Sequence, residues 1–354
     1  MKPSVVLLSA FLSPFRSGAE ACAEETAMRL ADAFEITIVT ARLTHKLPED
    51  DPFEGRVKVR RVGLGVRADK WLFPFLAPFV VWRLKPQILH AVLESYAGLA
   101  MLFSRILVPR AKTILTCQST NTTLLVRQMH RSADIVTVIS AALLKRAQSF
   151  GRTDALLIPN GVDIAAMKIA CERHPKVKRR ILFVGRLEPM KGVDVLLKTF
   201  ARVNPSLHAA LRIVGSGSER IRLEKMARDL QLSGRVTFAG YVPPAQIFGE
   251  YAEAEFFCGL SRSEALGNVF LEAQAAGCAV VATRTGGIPD IVDHDRTGLL
   301  VQPDDVEGAV QAVELLLTDE RKRAELVQAG KLNAQTYDWS GIVARYGEVY
   351  QRLL

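Results

Sequence analysis

The stretch "AEFFCGLSRSEALGNVFLEAQAAGCAVVAT" (254–283) contains a strand, a loop, a helix and a second strand in immediate succession. Its two apolar ends, "AEFFCGL" (254–260) and "CAVVAT" (278–283), have the short, continuous hydrophobic character of strands buried on both faces. Between them, Asn268 before the apolar "VFLEA" marks a helix start and Gly277 its stop. A strand, a covering helix and a second buried strand predict a parallel sheet with helices on its faces. Two carboxylates, Glu264 and Glu272, stand eight positions apart within the stretch. On one continuous helix they would point about 80° apart, but Glu264 falls in the lead-in loop and Glu272 one turn into the helix. The amides of Gly267, Asn268 and Val269 at such a helix start suit an anion, and the flanking acids suit hydroxyl groups. Taken alone, two glutamates at this spacing are a weak signal and read first as a solvated pair.

The same alternation runs through the chain. In the first half, "SVVLLSA" (4–10), "EITIVTA" (35–41), "ILHAV" (88–92), "KTILTCQ" (112–118) and "DIVTVIS" (134–140) read as strands. Helices are expected over Ala19–Ala33 and over Ala141–Ser149, the latter capped by Ser140. After the charged stretch "KIACERHPKVKRR" (168–180), strands resume with "RILFVG" (180–185), "ALRIVG" (210–215), "RVTFAG" (235–240), the opening stretch and "TGLLV" (297–301). The first three of these end in glycine, at the carboxyl ends where open α/β sheets bind ligands.

With 354 residues the chain is long enough for two cores. The expected division is a first α/β domain (1–165), a basic linker (166–180), a second α/β domain (181–340) and a C-terminal helix (341–354). Composition is that of an ordinary globular protein, with 49% hydrophobic and 7% aromatic residues. Five scattered cysteines without a C-x-x-C pair argue against structural zinc and fit a reducing cytoplasm. The apolar start reads as a buried first strand rather than a signal peptide, because Pro14, Arg16 and Glu20 interrupt the residues after it. "WLFPFLAPFVVW" (71–82), broken by Pro74 and Pro78, is too short to span a bilayer.

The net charge of +9 is uneven: residues 1–165 hold 21 basic and 14 acidic side chains, residues 166–180 hold 6 and 1, and residues 181–354 hold 19 and 22. In "RVKVRR" (56–61), alternation turns Val57 and Val59 inward and Arg56, Lys58 and Arg60 outward. That pattern fits either a charge-protected edge strand or an anionic membrane surface. Nucleic acid is not expected, since no aromatic residues interleave the cations and no nucleic-acid-binding motif accompanies them.

Several further motifs, in this order, make the second half resemble the retaining GT-B glycosyltransferases of family four, which carry a Glu-x7-Glu motif. They are "PNGVD" (159–163), "FVGRLEPMKGVDVLL" (183–197), "IVGSGSE" (213–219), "VTFAGYVP" (236–243), "SRSEALGNVFLEAQAAGCAVVAT" (261–283), "GGIPDIV" (286–292) and "TGLLVQPDD" (297–305). "YDWSGIVARYGEVY" (337–350) is similar to the family's last helices. The resemblance implies a GT-B fold of two Rossmann-like, doubly wound domains facing across a cleft, the first (1–165) binding the acceptor, the second (181–340) the nucleotide sugar, with the C-terminal helix (341–354) returning to the first. It implies retaining, metal-independent transfer from a nucleotide diphosphate sugar, UDP- or GDP-linked, to an acceptor hydroxyl, with no resident cofactor. A lipid-linked or polysaccharide acceptor in cell-envelope assembly and a cytoplasmic location on the inner membrane face accompany that reading.

Carried over, Arg186 and Lys191 would hold the diphosphate and Glu264 the transferred sugar, these three forming the catalytic set. Glu272 would take the ribose hydroxyls. Gly185, Gly215, Tyr241, Val242, Gly267, Asn268 and Val269 would line the donor. "RSGAE" (16–20) is similar to a family loop that would place Gly18 near the reacting centre. Gln118 in "TCQST" occupies a position where many members have histidine, and glutamine hydrogen-bonds but cannot act as a base. His90 reads as a core histidine, and "DHD" (293–295) as a polar turn rather than a metal site. The alternatives are a non-catalytic nucleotide-sugar-binding protein and a GT-B-shaped epimerase. An oxidoreductase is disfavoured because "GSGSER" (215–220) lacks the third glycine of G-x-G-x-x-G.

Overall fold

A computed structural model describes residues 2–13, 18–46, 53–121 and 125–354. The chain forms two compact units, Met1–Asn160 with Trp339–Leu354, and Gly161–Asp338. In the first, seven parallel strands lie in the order β3-β2-β1-β4-β5-β6-β7. They are β1 (Ser4–Leu8), β2 (Glu35–Ala41), β3 (Lys58–Val62), β4 (Ile88–Val92), β5 (Lys112–Cys117), β6 (Ile135–Val138) and β7 (Leu156–Leu157). The second unit has six, in the order β10-β9-β8-β11-β12-β13. These are β8 (Val177–Val184), β9 (Ala210–Val214), β10 (Val236–Gly240), β11 (Ala254–Gly259), β12 (Ala279–Thr283) and β13 (Leu299–Val301). In both sheets the order reverses once, between β1 and β4 and between β8 and β11, and in open α/β sheets ligands bind beside the strand ends at such a reversal. Both units are therefore Rossmann-like.

Central strands have the continuous apolar runs expected of sheets covered on both faces. Val5, Val6, Leu7 and Leu8 of β1 are all buried, as a strand paired on both edges requires. At the sheet edge, β3 keeps Lys58 and Arg60 exposed, so the charge there protects an unpaired edge. The helix Trp339–Leu353 belongs to the first unit, where Trp339, Ile342, Val343, Tyr346 and Tyr350 join the core beneath β1 and β4.

Two segments differ from their sequence expectation. Residues 166–180, expected as a linker, lie within the second unit as most of the helix Ile164–Arg173 and the start of β8. Asp163 caps that helix by accepting from the Ala166 amide at 2.9 Å, and the basic run is absorbed by Glu253, which pairs with Arg180, and by the Ala254 carbonyl, which takes Lys176. Residues 71–82 form part of one unbroken helix, Asp69–Leu84, despite two prolines. Pro74 and Pro78 share its buried face with Phe73, Ala77 and Val81, so packing against the neighbouring helix Tyr96–Leu107 offsets the lost backbone hydrogen bonds.

His90 is a core residue: Nδ1 lies 2.8 Å from the Tyr350 hydroxyl and Nε2 2.6 Å from Thr116 Oγ1. Burial lowers its pKa to about 3, and burial, with Arg146 and Arg152 nearby, lowers that of His130 to about 4. Both are bases held neutral in the fold, so as pH falls through 6.5 the unfolded chain takes up protons first. Stability should be full above that pH and decline at up to about 1.4 kcal/mol per pH unit for each histidine down to about pH 4. Denaturation at pH 7.5 and at lower pH should show this slope, and His90→Gln should remove roughly half of it. An unchanged slope in the variant would exclude His90 as its source.

Candidate active site

In the second unit the loops after β8 and β11 flank the strand-order reversal, and they carry Arg186, Lys191 and Glu264. β8 runs into Gly185 and Arg186, then a short 3-10 turn, Pro189–Lys191, leads to the helix Val193–Arg202. Lys191 Nζ donates to Glu264 Oε1 at 2.5 Å, and Ser261 Oγ donates to the same oxygen at 3.1 Å. Both partners of this pair are mostly shielded from water. Arg186, by contrast, is exposed, and its guanidinium makes a sulfur contact with Met190 at 4.0 Å.

Arg262, which the sequence reading did not single out, clamps the two loops together. Its Nη1 donates to the Pro189 carbonyl at 2.6 Å, its amide to the Met190 carbonyl at 2.8 Å, and its guanidinium pairs with both Asp194 oxygens and with Asp304. Hydrogen bonds to the two aspartates raise its pKa, so it stays charged throughout. The turn bearing Lys191 is thus tied directly to the loop bearing Glu264. Its only sequence signal is a charged residue two positions from Glu264.

Glycines in these loops serve backbone contacts. Gly215 after β9 has φ of 136°, and a Cβ there would lie 1.8 Å from the Gly185 carbonyl oxygen; at Gly286, φ of 53°, it would lie 1.8 Å from that of Glu264. Neither position admits a side chain, so the loops after β8, β9, β11 and β12 can touch.

The helix expected after β11 spans Asn268–Ala275, entered through Gly267 with φ of 95° and left at Gly277 with φ of 72°. Asn268 and Val269 form its first turn, and half-buried Glu272 is its fifth residue. The Glu272 carboxylate stands beside the buried Tyr251 hydroxyl, whose pKa is pushed well up by burial and further by that charge. Tyr241, exposed, and Val242 follow β10, the sheet's outer strand, two places from the reversal. "DHD" is a turn in which Asp293 pairs with Arg296 and Asp295 with Lys322.

In the first unit, Gly18 opens the helix Gly18–Leu30, while Arg16 and Ser17 of the loop singled out in the sequence lie outside the described residues. Gln118 follows β5 and is nearly buried, and its amide is paired reciprocally with Asn160: Nε2 to Oδ1 at 2.9 Å, and Asn160 Nδ2 to Oε1 at 2.8 Å. Asn160 also donates to the Gly18 carbonyl at 3.4 Å. Gln118 therefore serves as a brace between the ends of β5, the first helix and the residue that closes the unit.

A second residue missed in the sequence, Glu94, underlies that brace. Following β4 and 1% exposed, it accepts from the Gln118 amide at 2.9 Å and the Ser119 amide at 3.2 Å and pairs with Arg146. Among the described residues, Glu94, Cys117 and His130 bring potential metal-ligand atoms within 4.8 Å of one another. Burial holds the Cys117 thiol well above its ordinary pKa, and the carboxylate is already occupied, so the trio reads as core.

Comparison with known proteins adds an independent line. The profile of the family described as "Glycosyl transferases group 1" matches residues 168–333, and that of "Glycosyltransferase Family 4" matches residues 16–166. Among curated proteins, the D-inositol 3-phosphate glycosyltransferase of Corynebacterium jeikeium is 33% identical over 215 residues, 56% of this chain and 51% of that protein. The GDP-mannose-dependent alpha-(1-6)-phosphatidylinositol monomannoside mannosyltransferase of Mycolicibacterium smegmatis is 32% identical over 242 residues, 63% of each. The chain thus spans only about half to just under two thirds of the length of these two relatives. Among solved structures, a sucrose-phosphate synthase from Thermosynechococcus elongatus superposes with a TM-score of 0.87 at 21% identity, covering 99% of both chains. Anabaena Alr3699/HepE, solved with UDP and glucose, has a TM-score of 0.81 at 20% identity, covering 99% of this chain and all of that one. At these identities the superpositions establish a shared fold.

Proposed function

Because this chain belongs to the GT-B glycosyl transferases of group 1, we propose that it moves a sugar from a nucleotide diphosphate sugar to an acceptor hydroxyl with retention of anomeric configuration. The observation that carries the reading is the Lys191–Glu264 pair at the strand-order reversal, with exposed Arg186 at the end of the adjoining strand. A diphosphate leaving group gains negative charge as the glycosidic bond breaks, and two cations there meet that charge without a metal ion. The Lys191 ammonium has three donors and can serve Glu264 and a phosphate oxygen together. Glu264 then faces hydroxyls of the transferred sugar and Glu272 those of the ribose, with the loop after β10, Tyr241 and Val242, beside the base. The bond from the sugar's anomeric carbon to the diphosphate breaks, the acceptor oxygen bonds to that carbon on the same face, and its proton passes to the departing diphosphate. In the first unit, Gly18 and Gln118 are assigned to the acceptor side of the reaction, Gln118 as a brace rather than a base.

The donor is UDP- or GDP-linked and the acceptor lipid-linked or a polysaccharide in the cell envelope, the enzyme working at the inner membrane face. Relatives named for phosphatidylinositol-based acceptors support the lipid alternative. Thermal-shift screening of nucleotide sugars tests the donor site, since a ligand at 100 times its dissociation constant stabilises by about 2.7 kcal/mol. With the donor identified, release of free nucleoside diphosphate on adding lipid extract, and the anomeric configuration of the product by NMR, test the reaction. Donor binding with no diphosphate release from any acceptor would favour a binding protein instead.

A further inference from the structure

The helix Asp69–Leu84 is apolar on both sides, and only one side is covered. Phe73, Pro74, Ala77, Pro78 and Val81 pack inward, whereas Trp71 (64% exposed), Phe75 (60%), Phe79 (61%) and Trp82 (50%) stand in a stripe on the outer face, one helical turn apart or nearly so. Leu72 and Leu76 widen that stripe, and Ile106 and Leu107, at the end of the helix packed beside it, are exposed as well. Ring contacts hold part of the stripe in place: Trp71 meets Tyr96 edge-on at 5.1 Å and Phe75 stacks on Phe103 at 5.5 Å. An ordinary surface helix carries polar residues on this side, so a contiguous aromatic face marks a surface that something covers.

The charges around it identify the occupant. Residues 55–112 contain eleven Lys and Arg but only two acids, Asp69 and Glu94, and both acids are buried. Asp69 is turned inward to accept from the Gly65 amide at 2.6 Å, which ties down the loop before the helix. Arg67 and Lys70 flank one end of the stripe and Arg83 and Lys85 the other, with Arg67, Arg83 and Lys85 exposed. A helix presenting Trp and Phe between cations, within a stretch (55–112) whose two acids are both buried, has the composition of one lying in a lipid interface: rings at the headgroup level, cations on anionic headgroups.

We propose that the outer face of the helix Asp69–Leu84 docks on an anionic bilayer surface, its aromatic stripe entering the headgroup region. The proposal deepens the lipid-acceptor reading above by naming the surface that would bring the enzyme to such an acceptor. No helix among the described residues is long and apolar enough to cross a membrane, which leaves in-plane docking as the mode for this one.

The full chain, without donor or acceptor, is mixed with sucrose-loaded phosphatidylcholine vesicles, with and without about 30% phosphatidylglycerol, and sedimented. Binding to the anionic vesicles is expected, weakening as salt rises from about 50 to 500 mM, with little binding to the neutral ones. Two of the three tryptophans, Trp71 and Trp82, are exposed and Trp339 is buried, so a blue shift of emission on binding reports this face. Phe75→Ser with Phe79→Ser should weaken binding at least about tenfold. Arg83→Glu with Lys85→Glu, which disturbs no packing, should do the same on anionic vesicles. Nucleotide-induced thermal shift, read in parallel, reports the second unit's site, so the donor-site reading and this one can fail separately. Absence of binding to anionic vesicles at low salt, binding unchanged in both variants, or a concentration-dependent dimer abolished by the serine variant in a protein that ignores vesicles, would each overturn the proposal.

Discussion

Arg186→Ala and Lys191→Ala should each lower turnover about 10²–10³-fold, roughly 2.7–4 kcal/mol of transition-state stabilisation, with a smaller change in donor Michaelis constant. Charge develops on the diphosphate only as its bond to the sugar breaks, so cations aimed there bind the transition state more tightly than the donor. Arg186 is the cleaner of the two, because it is exposed and no ion pair within 4.0 Å holds it among the described residues, its nearby carboxylate Glu188 being hydrogen-bonded to Ser218 instead. Lys191→Ala also leaves Glu264 without its ion-pair partner, and some loss of donor affinity should accompany the loss of turnover. Glu272→Ala should behave oppositely. Ribose hydroxyls change little along the reaction, so its penalty should fall on the donor Michaelis constant. Steady-state kinetics of the three variants with one identified donor separates the roles. Wild-type turnover in both Arg186→Ala and Lys191→Ala would remove the leaving-group site from the mechanism.

Glu94→Ala should destabilise the first unit by about 3–5 kcal/mol, since it leaves the Arg146 charge and two loop amides without their acceptor in a buried setting. The Arg146 side chain is 16% exposed, so water replaces little of what is lost. Glu94→Gln keeps an oxygen for the amides but not the charge, and should cost less than the alanine variant. Urea denaturation followed by near-ultraviolet circular dichroism measures both. A loss below about 1 kcal/mol in Glu94→Ala would mean that the ion pair contributes no more than a surface one. The loop after β5, bearing Gln118, should loosen in proportion, visible as faster amide exchange at Gln118 and Ser119.

How much of this was legible beforehand differs by kind of feature. Strand identities such as β2 and β4 were readable to the residue, because a buried parallel strand must be apolar throughout and its limits are marked by turn residues. The helix Ala141–Ser149 was readable with its cap, since Ser140 and the Leu143 amide are neighbours in sequence. The prolines at 74 and 78 misled, because their cost is local whereas the packing that offsets it comes from another helix.

By itself the sequence determined two sheets of alternating strands and helices and put Arg186, Lys191, Glu264 and Glu272 in loops and first helical turns at strand ends, since periodicity and caps act over a few residues. Only the tertiary structure decided that Lys191 meets Glu264 across 73 residues, that Arg262 clamps their loops, and that Gln118 is bound to Asn160. It also decided that one apolar face of the helix Asp69–Leu84 stays uncovered. Those pairings depend on which strand ends become neighbours when the strand order reverses, and on which face a second helix covers. Both are settled by packing between distant segments, for which no local pattern of residues carries a signal.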